Sequence, residues 1–266
     1  AINDEGETMH DREELFLKEN GLDADGIDRE ALLTSFADEM NAGLAGRPSS
    51  LMMIPSFISI DRPVKTETPV VVLDAGGTNL RAAVVSIDGT GQARIGSFSK
   101  RAMPGTQGAL GAEAFFDAFA EFLMPIIAES ESIGFCFSYP AEITPACDAR
   151  LIRWSKQIEV PAVVGQMIGS GLLRHLAQRG YERRVVILND TVATLLAGKS
   201  AGVAKPYSAY VGFILGTGTN TAYVERNDRI TKRADLDPSG SMVINVESGA
   251  FRGVRQSAFD VTMDAQ

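Results

Sequence analysis

Cysteine and histidine are scarce in this sequence, which contains two of each among its 266 residues. Two thiols, Cys136 and Cys147, are too few for a disulfide framework or a cysteine-based zinc site, and they suit a reducing compartment. The two histidines, His10 and His175, do not have the spacing of a metal-ligand motif. We therefore expect a cytoplasmic protein that is stabilised by its apolar core.

Positive charge is also in short supply. Lys and Arg number 25 against 34 Asp and Glu, which gives a formal net charge of −9. An acidic chain repels phosphate backbones, and this argues against nucleic acid as a partner. One charge-free stretch, residues 206–224, has the length of a membrane span, but four glycine and asparagine positions interrupt it. We expect no membrane partner, and the composition leaves the oligomeric state open.

Short apolar runs alternate with amphipathic segments along most of the chain. Hydrophobic residues make up 45% of the sequence, enough for a large core. Helices are predicted over residues 11–20, 28–44, 113–128, 163–177 and 192–200, and strands over residues 70–73, 80–87, 95–99, 133–137 and 185–188. Gly180 is predicted to close the helix over 163–177. Three strands followed by alternating strands and helices indicate an α/β fold.

Two segments of the chain resemble each other. The sequence VVVLDAGGTN (70–79) aligns with VGFILGTGTN (211–220) at an offset of 141 residues, so that each copy has an apolar strand, a Gly/Thr turn and a second strand. Glycines permit positive φ and let backbone N–H groups approach an anion closely. Two such turns facing each other would hold a polyphosphate. The alternative is that each turn is simply a tight hairpin.

Six segments in order resemble the motifs of the hexokinase family, within the actin-like, ribonuclease-H-like ATPase superfamily. They are LDAGGTNLR (73–81), GFCFSYP (134–140), WSK (154–156), LNDTVAT (188–194), GFILGTGTN (212–220) and INVESGAF (244–251). The resemblance covers about residues 32–251. It departs from the family pattern at Ser155, where Thr is more common, and at Ser248, where many members carry Trp.

The resemblance implies a duplicated ribonuclease-H-like fold with N-terminal helices. The implied parts are N-terminal helices and a linker that packs on the large lobe (1–68), a first, small-lobe domain (69–204) and the start of a second, large-lobe domain (205–266). Only 48 residues follow Gly218, and the family's second sugar-binding Glu and its later adenosine motif cannot be placed. The first unit is therefore expected to be complete and the second to be partial, as in a truncated family member.

Asp190 is the candidate catalytic base. It follows four apolar strand residues, so we expect it at the carboxyl end of a strand, where α/β sheets open their ligand crevice. A sugar hydroxyl is a poor nucleophile at neutral pH, and a carboxylate within hydrogen-bond distance can accept its proton. The alternative role for Asp190 is the N-cap of the helix that follows.

The resemblance also implies residues for ATP and Mg²⁺. Asp74 would align the metal, through water, because Mg²⁺ keeps several waters and favours carboxylate oxygen. Phosphate contacts are implied for Gly76, Gly77, Thr78, Asn79, Gly216, Thr217, Gly218 and Thr219. Arg81 has two interpretations, either as a residue that orders the phosphate side or as the partner of a carboxylate.

For the hexose, the family pattern implies hydrogen-bonding side chains at Ser138, Ser155, Lys156, Asn189, Asp190, Asn220 and Glu247. The implied activity is ATP-dependent phosphorylation of glucose or a related hexose at its 6-hydroxyl, the first step of glycolysis. Two alternatives remain open. One is a non-catalytic sugar sensor or inactive family member, and the other is an actin-like or chaperone-type ATPase, which does not explain WSK or Glu247.

Overall fold

The structure is a computed structural model that describes residues 9–61, 63–154, 157–201, 207–216, 218–254 and 256–264. Three of the predicted site residues, Ser155, Lys156 and Thr217, lie outside the described residues. The chain divides into two compact units, a smaller one formed by Ala1–Leu51 with Ala250–Gln266 and a larger one formed by Met52–Gly249.

The smaller unit is helical. It contains α1 (Met9–Glu19), α2 (Arg29–Leu44) and α6 (Ala258–Asp264). Asp28 caps α2 by accepting a hydrogen bond from the Ala31 N–H at 3.0 Å, which satisfies one of the free donors at the helix start. Edge-to-face contact between Phe36 and Phe251, with ring centroids 4.9 Å apart, packs α2 on the C-terminal segment.

The larger unit contains a five-stranded sheet in the order β4-β3-β2-β5-β8. Its strands are β2 (Val70–Ala75), β3 (Asn79–Ile87), β4 (Ala93–Ala102), β5 (Ser132–Phe137) and β8 (Arg184–Leu188). The first three form an antiparallel meander, whereas β5 and β8 join β2 in parallel. This topology confirms the predicted α/β class.

Two helices cover one face of the five-stranded sheet, and a third packs near the end of its last strand. The core residues of β2 alternate, so Val71, Leu73 and Ala75 are buried in the cluster that contains the phenylalanines of α3 (Ala112–Leu123) and the apolar face of α4 (Ile168–Ala177). The helix α5 (Asp190–Ala201) packs instead with Leu188 in a separate apolar cluster. Asp74 therefore lies on the sheet face opposite α3 and α4.

A second sheet in the larger unit has the order β1-β11-β10-β9 and is antiparallel throughout. Its strands are β1 (Ile54–Pro55), β9 (Val211–Leu215), β10 (Thr219–Arg226) and β11 (Ser241–Asn245). The meander β9-β10-β11 repeats the arrangement of β2-β3-β4, as the internal repeat predicts. The short strand β1 lies in the predicted linker and pairs with β11.

Close approach at Gly212 joins α5 to the second sheet. A Cβ on Gly212 would lie 2.5 Å from the Thr191 carbonyl oxygen and 3.0 Å from the Leu195 nitrogen. Only glycine allows β9 to lie this close to the first turns of α5. One helix thus contacts both sheets of the unit.

Several element boundaries differ from the predictions. The helix α3 ends at Leu123 rather than near residue 128, because Pro125 lacks the N–H that a further helical turn needs. The helix α4 begins at Ile168 rather than 163, after Gly165 in a left-handed conformation with φ of 81°. A hairpin of β6 (Ala141–Ile143) and β7 (Ala149–Leu151) was not predicted. Gly180 has φ of 84° and follows α4 as predicted.

None of the helices in the described ranges combines the length and the apolar composition needed to cross a bilayer.

Candidate active site

Polar residues converge where the parallel strands β2, β5 and β8 end. Asp74 of β2 is the register partner of Cys136 of β5, which is in turn the partner of Leu188 of β8. Asp190 follows Leu188 by two residues, and Ser138 follows Cys136 by two. The Ser138 N–H donates to the Ala75 carbonyl at 3.3 Å, which extends the pairing past the end of β5. Asp74, Ser138 and Asp190 therefore share one edge of the sheet.

The charges of Asp74 and Asp190 both affect the pKa of the Cys136 thiol. Burial raises its pKa to about 12, and the negative charges of Asp74 and Asp190 contribute to the rise. Its Sγ lies 3.9 Å from the Ser138 Oγ. The thiol is therefore protonated and neutral at neutral pH.

The cap of α5 is Asn189 and not Asp190. The Asn189 Oδ1 accepts the Thr191 N–H at 2.8 Å, and its carbonyl accepts the Ala193 N–H at 3.0 Å. Asp190 is the first residue of the helix, with its Oδ1 accepting from the Thr191 N–H at 2.9 Å. The capping role weighed for Asp190 thus belongs mainly to its neighbour. The Asp190 Oδ2 has no hydrogen-bond partner within the described residues.

Asp74 forms an ion pair across the β2–β3 ladder. The Arg81 guanidinium donates to the Asp74 Oδ2 at 2.6 Å, and the two residues are register partners. Of the two interpretations of Arg81, pairing with a carboxylate is thus present in the structure. Both side chains are partly exposed, at 42% for Arg81 and 32% for Asp74, so the pair lies at the surface of the site.

The first Gly/Thr turn is a hairpin closed by hydrogen bonds at both ends. The Gly76 N–H donates to the Asn79 carbonyl at 3.0 Å, and the Asn79 Nδ2 donates to the Thr78 Oγ1 at 2.8 Å. Tyr139 donates its hydroxyl hydrogen to the Gly76 carbonyl at 2.6 Å. Burial, together with the Asp74 charge, raises the Tyr139 pKa, so this donor stays protonated. Tyr139 was not among the predicted site residues.

Positive φ is not the reason for glycine in this turn. Gly76 does not adopt a left-handed φ, although freedom to adopt one is a reason to expect glycine in such a turn. A Cβ on Gly76 would lie 3.4 Å from the Asn79 carbonyl oxygen, a tight but ordinary contact. The remaining reason for glycine here is that the absence of a Cβ lets a ligand approach the backbone closely.

The second Gly/Thr turn is also an antiparallel hairpin. Leu215 and Thr219 are register partners, and the Gly216 N–H donates to the Gly218 carbonyl at 2.9 Å. Gly249 closes over this turn, because a Cβ there would lie 2.5 Å from the Thr219 carbonyl oxygen. Both copies of the repeat are hairpins, so the structure by itself is also compatible with the simpler interpretation of each turn.

A network of amides and one carboxylate lies at the ends of β10 and β11. The Asn220 Nδ2 donates to the Asn245 Oδ1 at 2.9 Å, and the Asn245 Nδ2 donates to the Glu247 Oε1 at 2.7 Å. The Asn220 Nδ2 also lies 3.4 Å from the same Glu247 oxygen. Asn245 was not among the predicted site residues. The signal for it is a polar residue two positions before Glu247 at the end of an apolar strand run.

A small cavity joins this network to the end of β8. It has a volume of about 20 Å³, enough for one or two water molecules. Its polar lining includes Ser56, Asn189, Asn245 and Glu247, and apolar side chains form the rest. The cap of α5 and the Glu247 carboxylate therefore lie on one cavity, next to Asp190 in sequence.

The carboxylates of the site do not form an all-protein metal centre. Within the described ranges, no three His, Cys, Asp or Glu side chains are grouped to hold a metal ion. Mg²⁺ is commonly held by one or two carboxylates together with waters and substrate phosphates. Asp74, as a single carboxylate that would be completed by waters and phosphate oxygens, fits that mode of binding.

Comparisons with known proteins identify the family of the chain. Hexokinase family models match residues 18–200 and 210–266. Hexokinase-2 of Oryza sativa is 33% identical over 87% of this chain and 50% of its own length. Hexokinase-1 of Spinacia oleracea is 35% identical over 86% of this chain and 48% of its own length.

Among solved structures, a hexokinase from Schistosoma mansoni complexed with glucose is similar, with a TM-score of 0.68 and 29% identity over 84% of this chain and 51% of that one. The chain spans about half the length of the curated relatives that it matches. The family models cover most of the sequence, and the chain belongs to the hexokinase family.

Proposed function

We propose that this protein is an ATP-dependent hexose kinase that transfers a phosphoryl group to the 6-hydroxyl of glucose or a related hexose. The reaction would be the first step of glycolysis, and we place it in the cytoplasm on the basis of two free thiols. One observation carries the proposal: Asp74 and Asp190 lie at the carboxyl ends of two parallel strands, β2 and β8, that flank β5.

Asp190 is the proposed catalytic base. Its Oδ1 is held by the Thr191 N–H, and its Oδ2 remains available to accept the proton of the 6-hydroxyl as that oxygen attacks the γ-phosphorus. The bond from the γ-phosphorus to the bridging oxygen breaks, and ADP leaves.

The two Gly/Thr turns are the proposed phosphate side. When bound, MgATP supplies the phosphoryl group and the charge of the metal ion. Asp74 is the proposed carboxylate for that ion, and Arg81 adds positive charge beside it. The sequence predicts phosphate contacts for Gly76, Gly77, Thr78, Asn79, Gly216, Thr217, Gly218 and Thr219.

The proposed hexose side consists of hydroxyl, amide, ammonium and carboxylate groups. Ser138, Asn189, Asn220 and Glu247 supply them among the described residues, and the sequence adds Ser155 and Lys156. A site that binds hydroxyls leaves its own polar groups unpaired when a hydroxyl is absent. It therefore discriminates strongly against deoxy sugars.

Replacing Asp190 by Asn tests the proposal. In a coupled assay of ADP release with glucose, we expect Asp190→Asn to lower kcat by about 10²- to 10⁴-fold, because the amide cannot accept the proton. The dissociation constant for glucose, from calorimetry, should change far less. Asp228→Asn is the matched control, because Asp228 pairs with Arg226 at an exposed turn.

Unchanged turnover in Asp190→Asn would show that another group is the base. Glucose binding without any turnover in the wild-type protein would instead support the sugar-sensor alternative.

A further inference from the structure

The hydrogen bonds around Asn220 fix the direction of the whole network. The Asn220 Oδ1 accepts the Thr221 N–H at 2.7 Å and the Ser248 N–H at 3.3 Å. Backbone N–H groups can only donate, so this atom is the oxygen and the other end of the amide is the donor. The orientation of the Asn220 amide is therefore set by the backbone rather than by choice of rotamer.

Asn245 must then accept and donate at once. Its Oδ1 receives the hydrogen bond from the Asn220 Nδ2, which leaves its Nδ2 to donate to the Glu247 Oε1 at 2.7 Å. The side chain is buried, with 5% of its surface exposed, so water does not readily replace either partner. Asp could accept but not donate, and an apolar residue could do neither.

The backbone holds Glu247 in an unusual conformation that serves the same contact. Glu247 has φ of 59°, in the left-handed region that few residues other than glycine adopt. The Val246 N–H donates to the Thr221 carbonyl at 2.9 Å on one side, and the Ser248 N–H reaches Asn220 on the other. Conformations of this kind persist where the surroundings impose them, and they are frequent at functional sites.

We propose that Asn245 is a positioning residue of the hexose site: it holds one carboxylate oxygen of Glu247 so that the other, Oε2, is presented to a sugar hydroxyl. This inference rests on the proposed function. Two observations carry it, the one-way chain of hydrogen bonds from the backbone to Glu247 and the shared cavity that joins Asn245 and Glu247 to Asn189. Asn245 itself need not touch the substrate.

Exchanging the amide and the carboxylate tests the proposal. Asn245→Asp removes the donor and places two carboxylates together, so we expect the glucose dissociation constant to rise at least about tenfold. In the double variant Asn245→Asp/Glu247→Gln, the carboxylate introduced on β11 can accept from both Asn220 and the new glutamine amide. That variant keeps the net charge and shape of the wild type, and it should bind glucose about as tightly as Glu247→Gln alone.

The measurements are glucose titration by calorimetry, KM for glucose and for ATP, and thermal unfolding. The KM for ATP should change less than the affinity for glucose in Asn245→Asp, because the Asn245 side chain bonds Asn220 and Glu247 and no residue of either turn. Asn227→Asp is the matched control, since Asn227 is partly exposed, belongs to the turn after β10 and donates to the Asp237 carbonyl, away from the Asn245 network. It should leave the affinity for glucose unchanged.

Additive losses in the double variant, or wild-type glucose affinity in Asn245→Asp, would overturn the proposal, because a residue that only fills space cannot be rescued by changing Glu247. If Asn245→Asp does not fold, the double variant decides the matter by itself. It then supports the proposal by binding glucose like Glu247→Gln and contradicts it by binding much more weakly. A wild-type protein that binds no hexose overturns the proposed function as well.

Discussion

The hairpins β2–β3 and β9–β10 have the same sequence pattern but different polar surroundings. Beside the first hairpin are charges: the Asp74–Arg81 ion pair and, two strands away, the start of α5 with Asp190. The second hairpin is followed by β11, and its neighbours are the side-chain amides of Asn220 and Asn245 with one carboxylate, Glu247.

This difference follows from what is added to each meander. In the first copy, β5 and β8 extend the sheet in parallel, and parallel strands bring successive carboxyl ends to one edge. In the second copy, the described strands are all antiparallel, and polar groups come from neighbouring positions on β10 and β11. The same unit thus provides charge in one place and paired donors and acceptors in the other. Under the proposed function, both turns contact phosphates, the ion pair beside the first suits the metal ion and its phosphates, and the amides beside the second suit sugar hydroxyls.

The largest expected effect comes from breaking the link between the two regions at Gly212. In Gly212→Ala, the new Cβ would lie 2.5 Å from a backbone oxygen of α5, so β9 or the helix must move. We expect the free energy of unfolding to fall by about 1–3 kcal/mol. We also expect kcat to fall, since Asp190 is displaced with the helix. Denaturant unfolding and the coupled assay measure the two effects.

Gly198 provides the control for that substitution. It lies in the same helix on an exposed face, and a Cβ there would meet no described atom within 4 Å. Gly198→Ala should therefore raise the free energy of unfolding by about 0.5–1 kcal/mol, the usual gain for Ala over Gly in a helix. Equal effects of the two substitutions would show that the close approach at Gly212 does not matter.

A smaller effect is expected in the second sheet, where the free energy of unfolding should depend on pH. Lys232 donates to the Met52 and Met53 carbonyls at 2.9 and 2.6 Å, next to β1, and burial lowers its pKa to about 8 from 10.5. Between these values the unfolded chain binds more protons than the folded one, so stability rises with pH. The slope approaches about 1.4 kcal/mol per pH unit for this one group.

The measurement is the free energy of unfolding from pH 7 to pH 9 for the wild type and for Lys232→Met. The rise that begins near pH 8 should be absent from the variant, which has no amine to titrate. Parallel curves for the two proteins would show that Lys232 keeps its ordinary pKa.

The smallest expected effect on stability is that of Arg81→Gln in the first region. The Asp74–Arg81 pair is partly exposed, so its loss should cost about 0–1 kcal/mol of unfolding free energy. If the first hairpin lies on the phosphate side, the KM for ATP should rise about three- to tenfold with the lost positive charge, while that for glucose stays constant. A change in the glucose KM alone would contradict the placement of Arg81 on the phosphate side.

The strand ends of the site could be predicted from the sequence because their signals are local. Apolar runs of four residues that end in Asp74 and before Asp190 place both carboxylates at carboxyl ends of strands. The α/β class and the two hairpins follow from the same runs and from the internal repeat. Pro125 and Gly165 are also sequence signals for helix boundaries, and the predicted bounds did not take them into account.

The contacts between distant segments could not be predicted in this way. Tyr139 reaches Gly76 across 63 positions, and Asn245 reaches Asn220 across 25. Gly212 was identified only as an interruption of an apolar run, because the closeness of α5 is a property of packing. The choice between Asn189 and Asp190 as the cap of α5 depends on one residue of helix phase, which periodicity does not resolve.

The strand β5 contributes no carboxylate to the site, yet it separates β2, which carries Asp74, from β8, which leads to Asp190. Adjacent strands are spaced about 4.8 Å apart, so β2 and β8 run about 10 Å from each other with β5 between them. Rotation of a side chain or a change of loop sequence cannot alter that interval. The sheet therefore fixes the separation between the ends of β2 and β8, and a substrate that contacts both ends must span it.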